Sequence, residues 1–360
     1  MLFLVSSYTN AQDSTLGKWM VSARMNYGFM IAHRPTVMQL QKTHVYGFEA
    51  ELFKTSSGTH DWEQAFNKPL TGIGFQYFNL GDNAQLGGSY SIFPQILFPI
   101  NRSPHLLLSA RIGCGLGYID KKFNRLENHK NVAISSNINC MISFGFYARA
   151  LVNKRTQIVS GLQFTHMSNG GFKVPNLGVN MPTVNLGVSH FFGSKESIAS
   201  LRKIKSADHA VVNVLIAGGV KEVIPYGGKK HTALTVTGTW SKSVSYKSSI
   251  GAGADVFYDH SVGTRLKGEG VDVRNFTYSM RSGVHVSYEL KVQKLSFLFE
   301  NGFYFYNRYR KDGNIYTRLC LRYQLNENFF AVLNLKSHFG KADYFEYGIG
   351  MRLLKKSKNG

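Results

Sequence analysis

Nowhere in its 360 residues does the chain contain a run of 18 apolar residues, which excludes a transmembrane α-helix on length alone. Cysteine is nearly absent. The three present, Cys114, Cys140 and Cys320, show no CxxC spacing, so neither a zinc site nor a disulfide framework is available. Proline is scarce, at 8 residues, against 36 glycines and 13% aromatics. Acidic residues are also in short supply: 21 Asp and Glu face 42 Lys and Arg, for a net charge of +21. Such a balance is compatible in principle with nucleic-acid binding. The positive residues, however, sit mainly in connections, among them Lys121, Lys122, Arg125, Lys229, Lys230, Arg308, Arg310 and Lys311. That placement suits any polyanionic surroundings, including a phosphorylated lipid surface.

What the chain has instead is period-two alternation, in about sixteen segments of roughly ten residues, the length a tilted strand needs to cross a bilayer. In 106–118, Leu106, Leu108, Ala110, Ile112, Cys114, Leu116 and Tyr118 share one face, and Ser109, Arg111 and three glycines the other. In 138–150, Ile138, Cys140, Ile142, Phe144 and Phe146 oppose Asn139, Ser143, Tyr147 and Arg149; in 345–353, Phe345, Tyr347, Ile349, Met351 and Leu353 oppose Glu346 and Arg352. Gly113, Gly115 and Gly117 are part of this alternation. Their spacing is not GxGxxG and no helix follows, so they form no phosphate loop. A soluble sandwich also alternates, with its polar face outward. So many uniform segments, with few helical stretches to cover them, read as an all-β antiparallel transmembrane barrel whose apolar face meets lipid.

Strand centres are expected near 24, 49, 75, 92, 112, 144, 162, 187, 213, 236, 254, 282, 299, 319, 333 and 348. The longest connections are 32–44, 55–69, 119–137, 169–181, 194–208 and 261–274, and Trp62 is expected in a periplasmic connection that packs under the barrel. The stretch 194–208 divides eight strands from eight and is the candidate linker between regions 12–193 and 209–360. One large barrel and two eight-stranded units both satisfy this count. The single barrel, as the commoner solution, is preferred. Residues 1–11 resemble the tail of a secretory signal peptide, with Thr9 and Ala11 at the −3 and −1 positions of a cleavage before Gln12.

The densest chemistry lies at Thr165-His166-Met167-Ser168-Asn169-Gly170-Gly171, followed by Pro175-Asn176. Residues i and i+2 of a strand point to one face, roughly 6.6 Å apart along the chain, so the His166 imidazole can lean toward the Ser168 hydroxyl. A base beside a hydroxyl, with loop amides nearby, is the minimum constellation for nucleophilic ester chemistry. Ile158, Leu162, Phe164, His166 and Ser168 share a parity, so the pair ends a row whose other members would face lipid. A titratable side chain on a lipid-facing row is costly without a purpose. The plainer reading makes the two residues ordinary interfacial strand-end residues. His129, His190, His209 and His231 have no partners at ligand spacing, so neither metal nor cofactor is expected.

These residues, together with the strand Val184-Asn185-Leu186-Gly187-Val188-Ser189-His190-Phe191-Phe192, resemble the lipid A 3-O-deacylase (PagL-like) family. The closest likeness is to its longer versions, often called acyloxyacyl hydrolases. Asp61–Pro69, Leu86-Gly87 and Asn131–Asn139 add to the likeness, which covers roughly residues 18–193; residues 209–354 match no family that could be named. The resemblance implies a Gram-negative outer-membrane esterase that acts on lipid A in the outer leaflet, with membrane and lipopolysaccharide rather than nucleic acid as partners. It implies Ser168 as nucleophile and His166 as general base. The Gly170 N–H and the Asn176 side-chain amide would form the oxyanion hole, with Asn169 a further site residue. In such families an acid stands about fourteen residues after the histidine; here that position is Asn180. Asp120 and Glu127, in a neighbouring loop, are candidate substitutes. A non-catalytic barrel, either a channel or a scaffold, is the competing reading.

Overall fold

The computed structural model describes residues 17–101, 103, 106–195, 202, 204 and 209–357. The signal-peptide expectation for 1–11 and most of the 194–208 linker fall outside those residues.

Two closed eight-stranded antiparallel barrels form. The first consists of β1 (Gly17–Gly28), β2 (Val45–Lys54), β3 (Leu70–Asn79), β4 (Gly88–Pro99), β5 (Leu106–Ile119), β6 (Ile138–Leu151), β7 (Thr156–Ser168) and β8 (Val179–Lys195). It closes through β1 and β8, with Met20 opposite Phe191 and Asn26 opposite Asn185. The second consists of β9 (His209–Glu222), β10 (Lys230–Ser243), β11 (Ser248–Asp259), β12 (Met280–Val292), β13 (Leu295–Asn307), β14 (Ile315–Gln324), β15 (Phe329–His338) and β16 (Lys341–Ser357). It closes through β16 and β9, with Ile349 opposite Ile216. All sixteen expected centres fall inside strands. The preference for one large barrel is overturned and the two-unit alternative holds. Alternation is identical in both arrangements; only the long-range pairs that close each sheet distinguish them. By compactness the chain divides into two units, with the short segments 132–136 and 168–177 grouping with the second.

The face assignment follows parity. Leu116, Tyr118, Ile138, Phe144 and Phe146 are exposed on the outside of the first barrel, while Ser109, Arg111, Asn139, Ser143, Tyr147 and Arg149 are buried within it. Cys114 and Cys140 lie half-buried in the outward rows of β5 and β6. An eight-stranded barrel is just wide enough inside for side chains to fill it. In the first lumen Arg24 bridges Glu49 (2.9 Å) and Glu51 (2.7 Å), and Arg111 bridges Glu51 (2.8 Å) and Glu49. Gln76 and Gln163 donate to the second Glu49 oxygen at 2.9 and 3.1 Å. In the second lumen Asp255 takes Arg318 and His285, each at 2.6 Å, and Arg318 also reaches Glu300 at 2.7 Å. A buried charge is tolerated only when paired and hydrogen-bonded, and these groups supply both to one another.

Most of the longer connections of each barrel lie at one end. In the first, 29–44 (with helix α1, Pro35–Met38), 80–87, 120–137 and 169–178 share the end where β7 finishes. The connection 55–69, with α2 (Asp61–Ala65) and Trp62, lies at the opposite end, where β1 begins and β8 stops. In the second barrel the long connection 260–279 contains α3 (His260–Gly268) and a 3-10 turn at Phe276–Ser279.

Candidate active site

His166 and Ser168 close the outward row of β7, and exposure along that row falls from 64% at Leu162 to 3% at Ser168. The row is lipid-facing at its middle and covered at its end. In the β7–β8 hairpin register His166 stands directly opposite Asn180, which is why a separation of fourteen residues brings the two side chains together. The His166 Nδ1–H donates to Asn180 Oδ1 at 2.7 Å. That bond assigns the proton to Nδ1 and leaves Nε2 as the basic nitrogen. Gly178, at φ +82°, makes room for the ring: a Cβ there would come within 2.7 Å of His166 Cε1.

Asn180 has a second partner that sequence reasoning missed. Its Nδ2 donates to His33 Nδ1 at 3.2 Å. After β1 ends, the chain continues to pair alongside β8, with Phe29 N–H donating to the Pro182 carbonyl (3.3 Å) and Ile31 N–H to the Asn180 carbonyl (2.8 Å). This extension sets His33 beside Asn180. The only sequence signal for it would have been the closure of β1 on β8, which no local pattern encodes. Neither candidate substitute acid takes the place of Asn180 on Nδ1. The Asp120 carboxylate accepts the Gly88 N–H at 2.8 Å, and Glu127 is exposed in its loop. An amide, not an acid, stands on Nδ1.

The loop after Ser168 is folded by its own asparagines. The Asn169 side chain accepts from the Gly171 N–H at 3.0 Å and donates to Ser135 Oγ (3.1 Å), Ser136 Oγ (3.0 Å) and the Lys173 carbonyl (3.0 Å). Asn169 therefore organises the loop and ties it to 132–136. The positive φ of Gly170 (+62°) and Gly171 (+80°) lets the chain reverse there, a conformation that L side chains rarely adopt. Asn176 Oδ1 accepts the Asn169 N–H at 3.1 Å, which fixes the direction of its carboxamide. Asn176 Nδ2 is buried with no hydrogen-bond partner among the described residues. A buried donor without an acceptor costs about 1–3 kcal/mol, so a native fold keeps one where a ligand satisfies it or where strain is useful. Among the described residues no group of three His, Cys, Asp or Glu could hold a metal ion.

Closed antiparallel barrels with apolar exteriors and ion-paired interiors define an outer-membrane β-barrel protein. The family described as lipid A 3-O-deacylase (PagL) matches residues 47–189, and that described as acyloxyacyl hydrolase, C-terminal domain, matches 210–356. The two matches together take in most of the chain. It belongs to the PagL-like lipid A deacylase family and is, at that level, an outer-membrane hydrolase. The second half, for which the residues alone suggested no family, is accounted for by the C-terminal domain. No curated protein matches the chain. Among solved structures, Neisserial surface protein A is similar at 9% identity and a TM-score of 0.36, over 49% of this chain and 98% of that one. Omp33 of Acinetobacter baumannii is similar at 8% identity and a TM-score of 0.18, over 94% of this chain and 99% of that one. A BenF-like porin from Pseudomonas fluorescens Pf-5 is similar at 10% identity and a TM-score of 0.25, over 94% and 98%.

Proposed function

We propose that the protein is a serine esterase that hydrolyses the 3-O-linked acyl ester of lipid A in the outer leaflet. The observation that carries this reading is the buried, unpartnered Asn176 amide on the loop that follows Ser168 and His166. It supplies a donor where a developing oxyanion needs one, oriented in advance by the hydrogen bond that its own oxygen accepts.

In the first half-reaction His166 Nε2 takes the Ser168 hydroxyl proton as Ser168 Oγ attacks the ester carbonyl. The tetrahedral oxyanion is held by Asn176 Nδ2 and the Gly170 N–H. The intermediate collapses as His166 gives its proton to the departing 3-hydroxyl of the sugar, leaving the acyl group on Ser168. Water, deprotonated by His166, then releases the fatty acid and regenerates the hydroxyl. Asn180 keeps the imidazole in its tautomer but brings no negative charge to the imidazolium that forms, so the turnover number is expected to be low for a triad hydrolase. The apolar row Ile158, Leu162 and Phe164 leads to the pair and suits a substrate whose acyl chains lie in the leaflet. Both lumens are filled with paired charges, which argues against the channel alternative.

Mass spectrometry of lipid A incubated with the purified protein tests the proposal. Loss of one 3-hydroxyacyl chain is expected with the native chain and not with Ser168→Ala. Unchanged lipid A with the native protein would refute the activity. Equal loss with both proteins would refute the role of Ser168.

A further inference from the structure

Residues 266–310 of the second barrel enclose a cleft of about 470 Å³ at its long-loop end. One wall is apolar, formed by Leu266 of α3, Val271 and Phe305. The other is cationic and phenolic, with Arg308 and Arg310 beside Tyr278 and Tyr306. Strict alternation along β13 would turn Tyr306 into the lumen with Tyr304. The register instead slips: Tyr304 faces Gly283, Tyr306 faces Ser282, and Phe305 has no partner. This bulge lets neighbouring residues Phe305 and Tyr306 both line the cleft, as bulges commonly re-aim side chains.

Most other cations nearby are already paired. Arg265 and Arg281 share Asp312 at 3.1 and 2.6 Å, Arg274 pairs with Asp272 at 2.9 Å, and Lys311 with Glu269 at 2.7 Å. Arg308 and Arg310 have no carboxylate partner among the described residues. Arg308 is nonetheless held in place: its Nε donates to the Tyr306 hydroxyl at 2.8 Å, and its guanidinium lies 4.3 Å from the centre of the Tyr278 ring. The Tyr306 hydroxyl donates in turn to the Thr277 carbonyl at 3.1 Å. A guanidinium fixed this way keeps its terminal nitrogens available to fork onto an anion. Beside it, Asn307 Nδ2 is anchored on the Gly313 carbonyl at 2.9 Å, while its Oδ1 is buried without a donor. The apolar wall runs onto the outer face of the barrel, where Phe305 is 66% exposed and Phe303 52%.

We propose that this cleft binds the phosphate-bearing headgroup of an outer-leaflet lipid. Arg308 and Arg310 take the phosphate, Asn307 Oδ1 accepts from a headgroup hydroxyl, and the acyl chain lies down the Phe305–Phe303 row. The anion is specified by two uncompensated arginines, and the lipid by the continuity of the apolar wall with the membrane-facing surface. The proposal rests on the outer-membrane placement and not on the esterase reading.

A photoactivatable dodecyl phosphate carrying a diazirine on its chain tests it on the full-length protein in neutral detergent. The probe contains no carboxylic ester, so its binding is independent of catalysis at Ser168. Labelling is expected in peptides spanning 266–278 or 303–310. It should fall about a hundredfold or more in Arg308→Gln/Arg310→Gln, as loss of two charge-assisted hydrogen bonds implies, and largely return in Arg308→Lys/Arg310→Lys. Heat-modifiable gel migration checks that each variant forms its barrels. Equal labelling by the diazirine dodecanol would reduce the cleft to an apolar contact and overturn the proposal. Complete displacement by inorganic phosphate would overturn it in favour of a free-anion site.

Discussion

At the scale of single residues, the unusual element is an amide held between two histidines. A carboxylate on Nδ1 orients the imidazole and also stabilises its charged form; an asparagine does only the first. Left alone, an asparagine carboxamide can turn either edge to the ring. Here the His33 acceptor engages Nδ2 and so keeps Oδ1 on His166. On the proposed mechanism His33 would be a positioning residue, and its effect should depend on Asn180. His33→Ala is expected to lower kcat several-fold with little change in KM. Asn180→Asp should raise kcat by about tenfold or more, since restoring the charge recovers part of the roughly 10⁴-fold that such a carboxylate can contribute. In the Asn180→Asp background, His33→Ala should cost much less, because both oxygens of a carboxylate are acceptors and no flip remains to be prevented. Equal losses in both backgrounds, measured as initial rates of acyl release, would assign His33 a merely structural role. Asn176→Ala should cost about 10²–10³ in kcat if its amide serves the oxyanion. That His166 stands beside Asn180, with Ser168 on the same strand row, was legible because strand parity and a hairpin register are local. His33 was not, since it reaches the site only through closure of the barrel ends.

At the scale of elements, sixteen strands were legible because lipid outside and paired polar groups inside impose a strict period of two. What parity could not convey was where it breaks. The bulge at Phe305 leaves no mark in composition, because an aromatic pair at a strand end satisfies either face. The loops packed at that end are held by Asp312, which serves two arginines. Burial raises the Asp312 pKa, but Arg265 and Arg281 more than offset it, and the carboxyl stays below its ordinary range. A carboxyl depressed in the folded state contributes stability that is complete above its unfolded pKa, about 3.9, and is lost as pH falls through the folded value. Protection of residues 260–279 and 308–314 against hydrogen exchange, taken relative to the intrinsic rate at each pH, should therefore be flat from pH 7 down to about 5 and fall only below about pH 4. In Asp312→Asn the protection should already be weak at pH 7 and no longer change in the acid range. An Asp312→Asn profile that tracks the native one would show that the two arginine bridges do not hold these loops.

At the scale of the whole molecule, the count of sixteen strands left two architectures open that differ in what they can do. A single sixteen-stranded barrel would enclose an aqueous channel, whereas each eight-stranded barrel has an interior that its own side chains fill. The polar residues that oppose the apolar face of the strands form paired networks inside both barrels. Arg24, Arg111, Glu49 and Glu51 neutralise one another in the first lumen, and Asp255, Arg318, Glu300 and His285 interlock in the second. For an ion to cross, such a network would have to open, and removing one partner of a buried pair costs about 3–5 kcal/mol. The purified protein in a planar bilayer should accordingly show no stepwise openings at high salt, while the same preparation deacylates lipid A. Ohmic steps that survive removal of contaminating porins would return the channel reading to contention, whatever the outcome at Ser168. Silent bilayers together with acyl release would leave the barrels as scaffolds that present chemistry at their rims and outer faces rather than through their centres.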